Sequence, residues 1–193
     1  KADIKKYFEN VDQEILIELL KEKMKDEKVL FLIKTILDNY STKMKKGMPL
    51  GNLTSQFFAN VYLHELDFFV KHNIKAEYYL RYVDDFVILH NDQKILEMYL
   101  LQIQEYLKKR LALDLHPEKS KINPLAQGIP FLGFRMFPYH KLLKQGNMKR
   151  RVKRLRKQKI LYEEGLLSYD EIYNSFQGWN AFARQANTFK IRK

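Results

Sequence analysis

The chain has 193 residues, and its 35 Lys+Arg against 23 Asp+Glu leave a formal net charge of +12, which points to a polyanionic partner. A hydrophobic content of 46% with 13% aromatics supports a packed core and excludes a disordered tail. The absence of cysteine excludes a disulfide framework, thiolate metal sites and thiol nucleophiles, and no apolar run approaches the ~20 residues of a membrane-spanning helix.

The sequence opens without Met and without a signal-peptide pattern, directly on Lys1-Ala2-Asp3-Ile4, as expected of a piece cut from a longer protein. Residues 1–8 read as a short strand. Asp12 is placed to cap a helix with Ile15, Leu16, Leu19 and Leu20 on one face, and a second helix carries Val29, Leu30, Ile33 and Leu37. Residues 43–51, rich in Lys with Gly47, Pro49 and Gly51, read as a loop. Asn52 or Thr54 then caps a strongly apolar helix through Phe57, Phe58, Val61, Tyr62, Leu66, Phe69 and Val70. Two β-prone runs, 76–82 and 86–90, flank Val83-Asp84-Asp85 at the position of a hairpin turn. An amphipathic helix covers about 92–111, and short strands follow near 121–123 and 131–137. Residues 141–160 hold ten Lys/Arg and no acid, so this segment carries +10 and leaves +2 for the other 173 residues. A last helical pattern spans 169–186 around Trp179, the single tryptophan. The order predicts an α+β fold, an antiparallel sheet backed by helices on one face, with a soft domain boundary near 140–146.

Chemistry concentrates in the carboxylates. If the first strand and the hairpin are sheet neighbours, Asp3, Asp84 and Asp85 converge on one edge. Converging acids repel one another unless a cation neutralises them, and oxygen-only ligands favour Mg²⁺ or Mn²⁺. Two such ions about 3.5–4 Å apart would activate a 3′-hydroxyl and stabilise departing pyrophosphate, chemistry that fits a polymerase. The other reading of the pair is a solvated Asp-Asp turn, since Asp is a preferred turn residue.

Tyr82-Val83-Asp84-Asp85 between apolar strands, and Asp3-Ile4-Lys5-Lys6-Tyr7-Phe8 with its Asp 81 residues upstream of Asp84, together resemble motifs C and A of reverse transcriptases. The resemblance implies Asp3 and Asp84 as main metal ligands, with the Ile4 carbonyl and Asp85 in support. It makes Phe8 a steric gate against a ribose 2′-OH. Pro49 to Gln56, with Leu50, Gly51 and Gln56, is similar to motif B at the nucleotide. Residues 113–122 are similar to motif D, in which Lys119 is a candidate proton donor to pyrophosphate. Phe131-Leu132-Gly133-Phe134 is similar to the motif E primer grip. By this resemblance residues 1–140 form a polymerase palm and 141–193 a partial, basic helical thumb. Lys149, Arg150, Arg151, Lys153 and Arg154 would hold the template–primer phosphates. On residues alone the same run could be a solvated helix face. Trp179, Phe176 and Phe182 are expected in the thumb core.

The implied activity is RNA-directed DNA polymerisation with two Mg²⁺ ions, Mn²⁺ being the alternative. RNA template, DNA primer and dNTPs are the implied partners, and a bacterial or phage-encoded cytoplasmic protein the implied setting. Leu50-Gly51 followed by Ser55-Gln56 resembles the error-prone reverse transcriptases of diversity-generating retroelements, which work with a small basic accessory protein. A group II intron, retron or phage-defence lineage and a non-catalytic RNA-binding palm are the alternatives. The fingers motifs that precede motif A in the family are not found in these residues, so weak or no activity is expected of this chain alone.

Overall fold

The computed structural model describes residues 1–39, 45–49 and 51–192. Its first strand, β1 (Ala2–Asp3), is shorter than the expected 1–8. Ile4 bridges to Leu115 and the Lys5 amide donates to the Asp114 carbonyl, after which Lys6 takes a left-handed conformation (φ 46°, ψ 48°) that turns the chain into α1 (Tyr7–Asn10). The Asp12 carboxylate accepts from the amides of Glu14 and Ile15 and starts α2 (Gln13–Lys23), as anticipated; Asp26 does the same for α3 (Glu27–Asp38).

Asn52 occupies the N-cap position of α4 (Leu53–Phe68), yet its side chain makes no capping hydrogen bond. A π-helical turn, Phe69–Asn73, extends α4 to the sheet. There β2 (Tyr78–Tyr82) and β3 (Asp85–Leu89) form a hairpin with Tyr82 opposite Asp85, so the turn has two residues and Asp85 belongs to the strand. Asp92 caps α5 (Gln93–Leu111). The sheet has the order β1-β3-β2, all antiparallel. Phe86 and Ala2 are buried on one face of it, within a core that includes Leu16 and Leu20 of α2, Tyr62, Leu63 and Leu66 of α4, and Leu107 and Leu111 of α5. Burying side chains of this size is the main favourable term for this unit. On the other face Tyr78, Leu80 and Tyr82 are exposed.

Residues 121–123 form no strand; Lys121 instead exchanges backbone hydrogen bonds with Lys1. Beyond them, β4 (Ile129–Phe131), β5 (Phe134–Met136) and β6 (Lys141–Leu143) make a second antiparallel sheet. The expected strand over 131–137 is split by the turn Leu132-Gly133, both residues at positive φ (48° and 84°), the geometry a two-residue hairpin loop requires. Then come α6 (Gln145–Glu163), α7 (Tyr169–Arg184), begun by a Ser168/Glu171 capping box, and α8 (Phe189–Arg192). Phe134, Leu143 and Ala183 form a small core with Met148, Trp179 and Phe182.

The two compact units divide between Ile122 and Asn123, upstream of the boundary expected at 140–146. The reason is that β5 pairs with β6 and packs on α7, which keeps the hairpin with the basic helix. The α+β class with antiparallel sheets is as the sequence predicts.

Candidate active site

Register brings the acids together. Asp3 of β1 lies directly opposite Asp85 of β3, and the Ile4 amide donates to the Asp84 carbonyl at 3.2 Å. Directly opposed residues share a sheet face, and like charges so placed repel. Two ammonium groups answer that repulsion. Lys119 Nζ is 3.0 Å from Asp3 Oδ1, and Lys1 Nζ is 3.0 Å from Asp85 Oδ1 and 3.1 Å from its Oδ2. Asp3 is 9% exposed and Asp84 half-buried. Burial holds the Asp84 carboxyl above the usual carboxylate range, and the charges of Asp3 and Asp85 push the same way; the Asp84 amide and Lys119 oppose them.

Asp84 is the second residue of the hairpin turn. The first, Val83, adopts φ +54°, a left-handed conformation that costs a β-branched residue on the order of 1–3 kcal/mol. Residues 113–121 run beside β1 and deliver Lys119. His116 N donates to Asp3 O at 2.7 Å, and the His116 carbonyl accepts from the amides of Lys119 and Ser120. Ser120 Oγ accepts from the Asp3 amide at 3.3 Å. The motif D-like segment therefore meets the motif A-like strand along its length. Neither Lys1 nor Ser120 stood out in the sequence, because no spacing rule marks a lysine two positions before an acid.

The oxygens of Asp3, Asp84, Asp85 and the Ile4 carbonyl are a donor set of the kind hard divalent cations take. Among the described residues, no three acidic or histidine side chains enclose a ready-made ion site as they lie. Asp3 and Asp85 are each turned to an ammonium, which supplies positive charge where the set calls for it.

Phe8 lies half-buried on α1, with its ring edge-on to Tyr7 at 5.3 Å. The buried Tyr7 hydroxyl donates to the Ala59 carbonyl of α4 at 2.7 Å. Residues 45–49 run alongside: the Met48 amide donates to Phe8 O and the Gly47 amide to Val11 O, both at 2.8 Å. The residues that lead into the motif B-like segment are thus stitched to the end of the motif A-like segment and to Val11 beyond it. Leu50 lies outside the described residues. Gly51 takes φ +94°, and a Cβ there would meet no protein atom within 4 Å, so its need for glycine is conformational. Gln56 is exposed on the first turns of α4.

The other expected contacts sit on the second unit. Phe131 is buried, Leu132 is exposed at the hairpin tip, and a Cβ on Gly133 would come within 3.2 Å of Phe182 and 3.0 Å of Asn147. Lys149, Arg150, Lys153 and Arg154 are exposed on α6. Arg151 departs from them. It is 6% exposed, its guanidinium lies over Phe176 and Trp179 at 5.8 and 5.4 Å, and it donates to Ser175 Oγ at 3.2 Å. It anchors α6 to α7 and is not displayed to a phosphate backbone.

Among the described residues, no helix is long and apolar enough to cross a membrane. A family model described as reverse transcriptase (RNA-dependent DNA polymerase) matches residues 1–136. The group II intron-encoded protein LtrA of Lactococcus lactis subsp. cremoris is 32% identical over 133 residues, 64% of this chain and 22% of LtrA. The uncharacterized 91 kDa protein in the cob intron of Schizosaccharomyces pombe is 37% identical over 83 residues, 40% of this chain and 10% of that protein. The putative COX1/OXI3 intron 2 protein of Saccharomyces cerevisiae is 22% identical across 76% of this chain and 25% of its own length. The chain thus spans at most about a quarter of the length of these relatives. With the family's model matched from the Asp3 strand through the second hairpin, the chain belongs to the reverse transcriptase (RNA-dependent DNA polymerase) family and is related to group II intron-encoded proteins.

Proposed function

We propose that this chain is the palm and partial thumb of an RNA-directed DNA polymerase, which adds deoxynucleotides to a primer on an RNA template. The observation that carries the reading is the register of Asp3 against Asp85 beside the Asp84 turn, on a chain whose family polymerises DNA on RNA. Asp3, Asp84, Asp85 and the Ile4 carbonyl would hold Mg²⁺, with Mn²⁺ as the alternative. When bound, two such ions activate the primer 3′-hydroxyl and stabilise the leaving pyrophosphate.

The chain's own residues do the rest. Lys119 holds a proton at Nζ beside Asp3, where it balances the acids and can donate to the leaving group. Phe8, fixed by Tyr7 and the Met48 amide, stands against the sugar of the incoming nucleotide and disfavours a 2′-OH. Gly51 and Gln56 flank the nucleotide from the α4 side. The hairpin Phe131-Leu132-Gly133 supports the primer, and the exposed cations of α6 hold duplex phosphates without reading sequence. In this assignment residues 1–140 act as palm and 141–193 as thumb.

Two lineages have support. Similarity to LtrA favours a group II intron origin. The pair Leu50-Gly51 and Ser55-Gln56 favours an error-prone enzyme of a diversity-generating retroelement. In the second case Leu50 can pack but cannot hydrogen-bond the incoming pair, so Leu50→Gln should lower misincorporation opposite template adenine. Unchanged error rates would favour the intron lineage. For the activity itself, the complete polypeptide carrying this chain should extend a DNA primer on RNA with Mg²⁺ and stop on chelation. RNA binding with no incorporation in either Mg²⁺ or Mn²⁺ would favour a non-catalytic palm.

A further inference from the structure

The Asp84 turn is strained at Val83, where the backbone takes φ +54°. A brace from outside the turn is present. Arg81, inward-facing on β2, donates from Nη1 to the Val83 carbonyl at 3.0 Å. The same guanidinium donates from Nε to Asp67 Oδ1 at 2.7 Å and from Nη2 to Asp67 Oδ2 at 2.5 Å, a bidentate pair. Nη1 also reaches Asn60 Oδ1 at 3.4 Å, and Tyr79 from the same strand donates its hydroxyl to Asp67 Oδ1 at 2.7 Å. The Arg81 side chain is only 10% exposed, and Asp67 and Asn60 both lie on α4.

We propose that Arg81 and Asp67 are positioning residues: their bidentate pair ties the Val83 carbonyl to α4 and so fixes the left-handed turn that presents Asp84. The inference rests on the polymerase reading for its effect on rate, but the brace itself is a property of the protein without metal or substrate. Geometry explains why this position holds arginine. One edge of the planar fork is spent on the carboxylate and the remaining nitrogen reaches the carbonyl, whereas a lysine ammonium has no fixed fork with which to span both. α4 also begins within the motif B-like segment, so the brace links that helix to the acid-bearing turn.

Two readouts on the complete polypeptide test this. In metal-free protein, Arg81→Lys should speed hydrogen exchange at the amides of residues 83–85 by about tenfold or more, with α5 amides unchanged. In primer extension the same variant should lose about tenfold or more in kcat while KM for the deoxynucleotide moves less than about threefold. A charge-balancing role predicts no loss, because lysine keeps the charge. The decisive variant is Val83→Gly, since glycine adopts φ +54° at no steric cost and so leaves no strain for a brace to hold. In that background Arg81→Lys should cost less than about threefold in kcat and leave exchange at the turn nearly unaltered. Equal cost in both backgrounds, exchange accelerated throughout the fold, or an unaltered turn would each overturn the proposal. If the parent protein polymerises nothing, the polymerase reading fails, and the exchange experiment alone still decides the brace.

Discussion

At Asp84, burial and two neighbouring carboxylates all disfavour the charged form, and this has a consequence for stability. The folded protein binds the Asp84 proton more tightly than the unfolded chain does. That contribution is present below the ordinary aspartate value of about 3.9 and is lost as pH rises through the higher folded value. Asp84→Asn removes the loss, so the metal-free variant should melt above the parent at neutral pH, with the gap closing below about pH 4. Equal melting temperatures at pH 7 would contradict the account of the site. The meeting of the three acids was legible in the sequence because Asp84-Asp85 sit at a turn between apolar strands and Asp3 lies in a first strand able to pair beside them. Their neutralisation by Lys1 and Lys119 was not, because ion pairs spanning 84 and 116 residues follow from sheet register and leave no local pattern. Val83 was placed in the hairpin turn, but its left-handed conformation was hidden, because a β-branched residue gives no warning of positive φ.

Among the elements, α6 shows how a charge run conceals its own orientation. The sequence suggests a thin apolar stripe of Val152, Leu155 and Ile160, yet these are 44%, 38% and 54% exposed, while Arg151 and Gln158 are buried. The aromatic surface of Phe176 and Trp179 on α7 decides which face turns inward, and that partner is not written in the run itself. The split has a measurable outcome. Replacing Lys149, Arg150, Lys153 and Arg154 by Ala should flatten the salt dependence of duplex binding by ~0.7–0.9 in log–log slope per lost phosphate contact. Arg151→Ala should leave the slope nearly unchanged and lower the melting temperature instead. A slope that falls as much for Arg151→Ala would contradict the buried assignment. The start of α2 was read from its capping acid, Asp12, whereas Asp26 and Asp92, which cap α3 and α5 in the same way, were not singled out in the sequence. The first strand was overread because Lys6 breaks it with a left-handed residue.

For the whole molecule, the +10 carried by residues 141–160 marks where nucleic acid would be held, and the proposed chemistry would rest on a first unit close to neutrality. The α+β class follows from the alternation of apolar strands and amphipathic helices. The division at Ile122–Asn123 does not, because it depends on β6, three residues whose pairing with β5 was not visible in the composition shift near 140. What joins these observations is one claim, that the acid-bearing edge of the β1-β3-β2 sheet is a polymerase centre. The most direct test is Mg²⁺-dependent extension of a DNA primer on an RNA template by the complete polypeptide, parent against Asp84→Asn. The account predicts extension by the parent and at least a ~10³-fold loss in the variant, with RNA binding retained. Extension that survives Asp84→Asn would contradict it.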